Sequence, residues 1–391
     1  MSLLGTISRG IKAPIFRNGD NLIKMVPDCV INAASQSGFE IRDNDVIGIT
    51  EAIVARTQGN YATVEQITKD VSNKLGDKEV GLIFPILSRN RFALLLKGIA
   101  RGVKKLYIVL TYPQDEVGNP LISPSLIDEK GVNPFSDTFT EAEFRAKFGK
   151  IEHPFTGVDY IKLYKEIAGE NCEIILSNRI ETILDYTPYV INADIHTRKR
   201  TKRILLEKGA KIVIGLEDIL TESVDGSGYN EKYGLLGSNL ATEHSVKLFP
   251  RGGDEIVNGI KEQMLIKTGK KVEVLIYGDG AFKDPVGGIW ELADPVVSPS
   301  YTSGLEGRPS EVKLKYIADN MLTKDCAEEE LKKIIKENKA HHDDNLALGT
   351  TPRRLTDLLG SLCDLTSGSG DKGTPIILIQ GYFDDYSTER D

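Results

Sequence analysis

Cysteine, histidine and tryptophan are scarce in this chain of 391 residues, with 4, 5 and 1 of them respectively. Cys29, Cys172, Cys326 and Cys363 stand alone, with no Cys-x-x-Cys pair and no histidine at metal spacing. This argues against a zinc site or a disulfide framework and leaves buried or incidental thiols. No apolar run approaches the roughly 20 residues that cross a bilayer, and no basic start leads into an apolar stretch. A cytoplasmic protein without a membrane partner is expected. Positive charge is also in deficit, since 49 Lys and Arg face 57 Asp and Glu for a net charge of -8. Such a chain repels phosphate backbones, so small molecules rather than nucleic acid are the expected ligands. What is present is ordinary for a globular protein: 40% of residues are hydrophobic, and glycine and proline are scattered throughout. That suffices for a sizeable core in two domains.

The densest run of ligand-binding features extends from Tyr233 to Gly288. Tyr233-Gly234-Leu235-Leu236-Gly237-Ser238-Asn239 leads to Leu248-Phe249-Pro250. Asp254 is then expected to open a helix whose apolar positions Ile256, Val257, Ile260, Met264 and Leu265 recur at helical spacing, with Gly269 ending it. Val272 to Tyr277 reads as a strand that delivers Gly278-Asp279-Gly280 at its carboxyl end, where α/β proteins usually hold ligands.

Nearer the start, Ala13 to Asp20 reads as a short strand and turn, with Asp20 capping a helix that Pro27 breaks or restarts. Val46 to Thr50 is a strand, followed by Glu51-Ala52-Ile53-Val54-Ala55-Arg56-Thr57-Gln58-Gly59. In the middle, helical patterns over 92–103, 159–168 and 201–208 alternate with apolar strands at 105–110, 172–176 and 211–215 and with a strand or extended segment at 189–196. That alternation predicts βαβ crossovers and a parallel sheet. The long connection from Pro113 to Pro154 is either a lid or a poorly ordered excursion. His196 to Arg203 is the one dense basic run, readable as an anion site or as a solvated helix face. Toward the end, 328–339 forms a helix with Glu-Lys pairs, and the adjacent His341 and His342 point apart and are a poor metal pair. Thr351 and Pro352 open a further helix with a leucine stripe. Glycines 368, 370 and 373 either form an anion-binding nest or provide a flexible connection.

Pro14-Ile15, Gly19-Asp20 and Leu22, followed by Asp45 to Gly59, resemble the opening of the coenzyme F(420)-0:gamma-glutamyl ligase family. Later stretches agree in the same order. Gly234 to Asn239 with Leu248-Phe249-Pro250 resembles a Gly-x-Asp-x-Ser-Asn loop, and Lys267 to Val272 the next helix and strand. Gly307-Arg308 with Ile317-Ala318-Asp319 resembles a further strand, and Gly368 to Pro375 the terminal Gly-rich loop. The fold this implies is mixed α+β. A ligase-like domain is expected over 1–83 and 229–391, with an inserted α/β parallel-sheet subdomain over 84–228.

The resemblance implies a ligase that uses GTP and Mg²⁺ or Mn²⁺ to join glutamate to a carboxylate through an acyl phosphate, as a homodimer. Carried across position by position, the nucleotide contacts fall on Pro14, Ile15, Glu51, Ala52, Arg56 and Asn239, with Gly368, Gly370 and Gly373 closing over the nucleotide. Arg56 replaces a lysine. Leu236 stands where the family has a metal-binding aspartate, so the metal ligands are expected at Asp279 and Asp371, with Asp284 and Glu243 as substitutes. The acceptor is a flavin cofactor, a folate or another carboxylate metabolite. The other reading is a non-catalytic relative that binds a nucleotide or metabolite as sensor or scaffold.

Overall fold

The computed structural model describes residues 4–89, 91–115, 118–154, 156–195, 197–278, 282–283, 290–291, 298–307, 313–320, 328–341, 354–368 and 370–388. The chain begins with β1 (Ile7–Ile11), α1 (Leu22–Ser37), β2 (Val46–Thr50), α2 (Glu51–Thr57), β3 (Tyr61–Thr63) and α3 (Val64–Leu75). It continues with β4 (Glu79–Ile83), α4 (Ala93–Arg101), β5 (Lys105–Leu110), α5 (Pro124–Glu129), β6 (Phe139–Thr140), α6 (Glu141–Phe148) and α7 (Tyr160–Ala168). Next come β7 (Cys172–Leu176), β8 (Tyr189–Asn192), α8 (Arg198–Glu207), β9 (Ile212–Gly215), β10 (Asn239–Thr242), β11 (Ser245–Lys247) and α9 (Gly253–Thr268). The last are β12 (Glu273–Tyr277), β13 (Phe282–Lys283), β14 (Trp290–Glu291), β15 (Ser300–Tyr301), α10 (Leu314–Asn320), α11 (Glu328–His341), α12 (Leu355–Ser367) and β16 (Ile376–Gln380). Two compact units result: Met1–Val54, Gly252–Gly280 and Val297–Asp391 make one, and Ala55–Arg251 with Ala281–Val296 the other.

The first unit is built on a five-stranded mixed sheet in the order β1-β16-β2-β12-β15. Its central strands read as unbroken apolar runs because both faces are covered. Alternate residues Ile47, Ile49, Val274, Ile276, Ile376 and Leu378 pack under α1 and α9. The intervening Val46, Leu275, Tyr277, Ile377 and Ile379 pack under α12 through Leu355, Leu359 and Cys363. Gly48 lets α12 lie this close, since a Cβ there would stand 2.3 Å from Cys363 Sγ.

Several sequence expectations change in this unit. Asn21 rather than Asp20 caps α1, accepting from Lys24 N at 3.2 Å. Asp20 instead accepts from Arg17 N at 2.6 Å and closes the expected turn, while the strand expected just before it is irregular chain. Pro27 neither breaks nor restarts α1, which runs through it to Gly38 in the left-handed conformation. The strand expected at 317–319 is the helix α10. Thr351 and Pro352 lie outside the described residues, and α12 begins at Leu355.

The second unit holds a six-stranded sheet in the order β6-β7-β5-β4-β8-β9. Strands β7, β5, β4, β8 and β9 are parallel, and β6 is antiparallel at one edge. The expected alternation of helix and strand therefore yields the expected parallel sheet, although its central strand β4 precedes residue 84. The connection from Pro113 to Pro154 is neither a bare excursion nor a featureless lid. It carries α5, β6 and α6, the last held by a capping box between Thr140 and Glu143. Its Phe139 packs edge-on against Tyr112 at 5.5 Å and against Phe148 at 6.2 Å. The unit also holds a small three-stranded sheet, β10-β11-β3, and the antiparallel pair β13-β14.

Candidate functional site

The register of the first unit's sheet brings separate segments to one end of it. Strands β2 and β12 run parallel with Thr50 opposite Tyr277, so Glu51 and Gly278 leave from adjacent strand ends. Strand β16 runs the other way, with Ile376 opposite Ile49, and Thr50 N donates to Pro375 O at 3.0 Å. The segment 368–375 therefore arrives where β2 departs. Ile11 pairs with Ile376, and Ala13 N donates to Gly373 O at 3.2 Å. That places Pro14 and Ile15 beside the same loop. Pro14, Ile15, Glu51, Ala52 and Gly373 thus share one sheet end, although they come from three distant parts of the sequence.

Each segment is held there for a local reason. Phe16 is buried and anchors 12–19 while Ile15 stays 80% exposed, an unusual placement for isoleucine beside a polar loop. Thr50 Oγ1 accepts from Ala52 N at 3.4 Å, easing the strand-to-helix turn. Glu51 opens α2 and is only 4% exposed. A carboxylate in a first helical turn is a favourable placement with respect to the helix dipole. The terminal loop starts at Gly368, which ends α12 with a positive φ of +61°, and turns again at Gly373 with φ +67°. Between them Gly370–Lys372 forms a short 3₁₀ turn. Thr374 Oγ1 donates to Ser367 O at 3.1 Å and ties the two ends of the loop.

Lys372 was not among the expected contacts. Its ammonium folds back to Gly368, where a Cβ would come within 2.6 Å of Nζ. The signal was its place between the glycines, which puts a cation inside the terminal loop. α1 and α9 also begin at this end of the sheet, because each runs back along strands that finish there. Gly253, the first residue of α9, lies against Ser300 and Ile276, and a Cβ on it would meet Ser300 Oγ at 2.3 Å.

The remaining expected residues are placed as follows. Arg56 is exposed and Asn239 half-buried, and both belong to the second unit, where Asn239 opens β10 opposite Lys247. Asp371 is exposed on the 3₁₀ turn. Asp279 and Asp284 lie outside the described residues, and Glu243 is exposed in the β10-β11 hairpin of the second unit. Leu236 is a core residue at 3% exposure, packed in the cluster that includes Leu216, Ile219, Leu220 and Leu248. Carboxylate chemistry is excluded at that position by its surroundings as well as by its side chain.

A scan of family models matches the F420-0:Gamma-glutamyl ligase model over residues 10–381. The chain belongs to the F420-0:gamma-glutamyl ligase family. The bounds of the match take in residues of both compact units. No curated protein matches the chain. Among the described residues, no helix is long and apolar enough to cross a membrane.

Among the described residues no three His, Cys, Asp or Glu side chains gather to hold a metal ion. A divalent cation bound by one or two carboxylates and otherwise by substrate phosphates suits this donor set better than an all-protein cage. Glu51 and Asp371 are the described carboxylates on segments meeting at this sheet end, and both offer the hard oxygen donors such a cation takes.

Proposed function

We propose that this family member is an amide-forming ligase that attaches glutamate, or a similar amine, to a carboxylate metabolite at the expense of a nucleoside triphosphate, with GTP the expected nucleotide. The observation that carries this reading is the meeting of the 12–15 segment, the β2-α2 turn and the Gly368–Pro375 loop at one sheet end. Forming an amide from a carboxylate requires an activated acyl group, and phosphoryl transfer to the carboxylate supplies one. The amine nitrogen then attacks the acyl carbon, the C–N bond forms, and phosphate leaves. The backbone of the 368–375 loop and Lys372 suit the triphosphate, because amides freed by glycine turns and a nearby cation offset its charge. Glu51 and Asp371, with Asp279, are the residues we assign to a Mg²⁺ or Mn²⁺ ion, which when bound neutralises charge on the transferring phosphoryl group. Pro14 and Ile15 would wall the site and limit water at the acyl phosphate. A homodimer and residence in the cytoplasm belong to the same reading.

One observation favours the non-catalytic alternative: Leu236 in the core leaves the site without a carboxylate that the resemblance expects. Calorimetric titration of GTP and ATP, each with Mg²⁺ or Mn²⁺ and again with a chelator, separates the readings when followed by an assay of glutamate-dependent phosphate release over a panel of carboxylate acceptors. Metal-dependent binding with amine-dependent turnover supports the ligase. Binding without turnover for any acceptor supports the sensor, and binding of neither nucleotide removes the ligase and leaves only a metabolite-binding relative.

A further inference from the structure

One apolar face of the second unit's parallel sheet continues past the strand ends into a cavity. Leu106, Ile108 and Leu110 of β5 and Cys172, Ile174 and Leu176 of β7 share this face, which α4 and α7 cover through Leu96, Ile99, Ile161 and Tyr164. Leu110 and Leu176, the last residues of these parallel strands, lie opposite one another, and both line the cavity. Parallel sheets hold ligands at such carboxyl ends. Here the cover passes from helix to the chain between 112 and 161, which contributes Tyr112, Ile122, Phe144, Ile151, His153 and Tyr160 to the wall. Leu121, Ile151 and Val158 are half-buried, so the cavity opens to solvent on their side. It encloses about 400 Å³, the open mouth included. That is near the low end for ligand clefts, with room for one ring rather than a fused system.

Two features of the wall define an occupant. The first is its rings. Tyr112 meets Phe144 edge-on at 5.9 Å, and Tyr160 meets His153 edge-on at 5.6 Å, and all four are buried. A further ring seated edge-to-face or offset against them gains more than its buried area alone would give. The second feature is charge. No lysine, arginine, aspartate or glutamate lines the cavity. His153 is engaged at both nitrogens, Nε2 standing 3.4 Å from Asp115 Oδ2 and Nδ1 accepting from Thr156 N at 3.4 Å. Asp115 lies outside the wall and also accepts from Asn119 N and Nδ2, each at 2.7 Å. An ionised ligand would therefore lose its hydration and meet no countercharge.

We propose that this cavity binds an uncharged molecule built on a single aromatic ring. It stands apart from the reaction proposed above, whose nucleotide, amine and carboxylate substrates are all charged. The test is methyl NMR of the full chain labelled at isoleucine Cδ1, with phenol as the probe at neutral pH. Saturable shifts are expected at Ile122, Ile151 and Ile161, assigned through Ile122→Val, Ile151→Val and Ile161→Val, while Ile47, Ile49 and Ile276 of the other unit stay still. Cyclohexanol, of similar size, binds about threefold or more weakly for want of ring contacts. Benzoate binds about tenfold or more weakly, because its charge is buried without a partner. Val158→Phe and Ile151→Phe each place a ring at the rim and lower phenol affinity about tenfold or more by occlusion. Unmoved Ile174 and Ile191 methyls show that the second unit of each variant is folded. Absence of saturable shifts overturns the proposal, as do equal shifts at the first-unit isoleucines. Benzoate or cyclohexanol binding as tightly as phenol overturns it too, as does full phenol affinity in both filled variants. No nucleotide or metal enters the assay, so its outcome is independent of the ligase reading.

Discussion

Gly48 offers the sharpest test of how the sheet supports the candidate site, because it fixes the distance between β2 and the helix that delivers the terminal loop. A methyl group at this position would sit 2.3 Å from Cys363 Sγ, 3.3 Å from Cys363 Cβ and 3.3 Å from Tyr277 Cδ1. Carbon and sulfur normally meet at well over 3 Å, so something must move by about 1 Å or more. β2 cannot yield readily, being paired with β16 on one side and β12 on the other. The strain therefore falls on α12, and Gly48→Ala is expected to cost about 2–4 kcal/mol. Cys363→Ala removes one buried sulfur and should cost about 1 kcal/mol. If the two sites were independent, the double variant would lose about 3–5 kcal/mol. Removal of the clashing sulfur should instead leave the double variant only about 1–2 kcal/mol below the parent, more stable than Gly48→Ala alone. Hydrogen exchange by mass spectrometry in graded urea, followed on peptides covering β2 and α12, reads this unit separately from the other. Additive losses would refute the steric account and leave the glycine to be explained by backbone conformation.

Other outcomes follow from the same structure. Leu236→Asp, which restores the family's acid, should fail to gain metal binding and should destabilise the second unit by about 3 kcal/mol or more, since the charge would lie unpaired in a core. Metal binding by the variant, or unchanged urea resistance of the second unit's hydrogen-exchange signal, would refute this. Glu51→Gln should lower amine-dependent turnover by about 100-fold with the fold intact, and Lys372→Gln should weaken nucleotide binding by about tenfold with turnover less affected. Equal activity of both variants and the parent in the phosphate-release assay would discard the site. Burial alone would raise the pKa of Asp159, but bonds from Arg145 at 2.8 and 3.0 Å and from Lys162 N at 3.0 Å outweigh it and hold the carboxyl below its ordinary value. Its stabilising contribution is present above the unfolded carboxylate value near about pH 4 and is lost as pH falls through the lower folded value. Asp159→Asn should thus lose about 1–2 kcal/mol at neutral pH and show a flatter stability profile below about pH 4, checked by acid titration of the α7 hydrogen-exchange signal.

The elements that could be read from the sequence are those whose stabilisation is local or periodic. α9 announced itself through apolar residues at helical spacing and the left-handed Gly269 that ends it. β5, β7 and β12 did so as apolar runs bounded by turns. The ends of elements were harder, since capping depends on which side chain the backbone angle admits. That is why Asn21 took the place of Asp20, and why Pro27, early in α1, did not stop a helix whose Val26, Val30 and Ala34 are buried. The strand expected at 317–319 followed a resemblance of order rather than a periodicity, and the chain there is helical.

The candidate site divides along the same line. The residue types were visible in the sequence: glycines at 368, 370 and 373, an acid directly after the β2 strand, and an acid after β12. Which of them meet was not visible, because strand order and direction are set by how faces are buried across the whole sheet. Only the antiparallel return of β16 between β1 and β2 brings the last loop to the first one, putting Gly373 against Ala13 and Pro375 against Thr50. Leu236 shows the converse. Its sequence neighbours suggest a ligand loop, and only packing against Leu216, Ile219 and Leu248 makes it core. Local chemistry therefore determined which residues this protein offers to a ligand, while long-range burial determined which of them share a site.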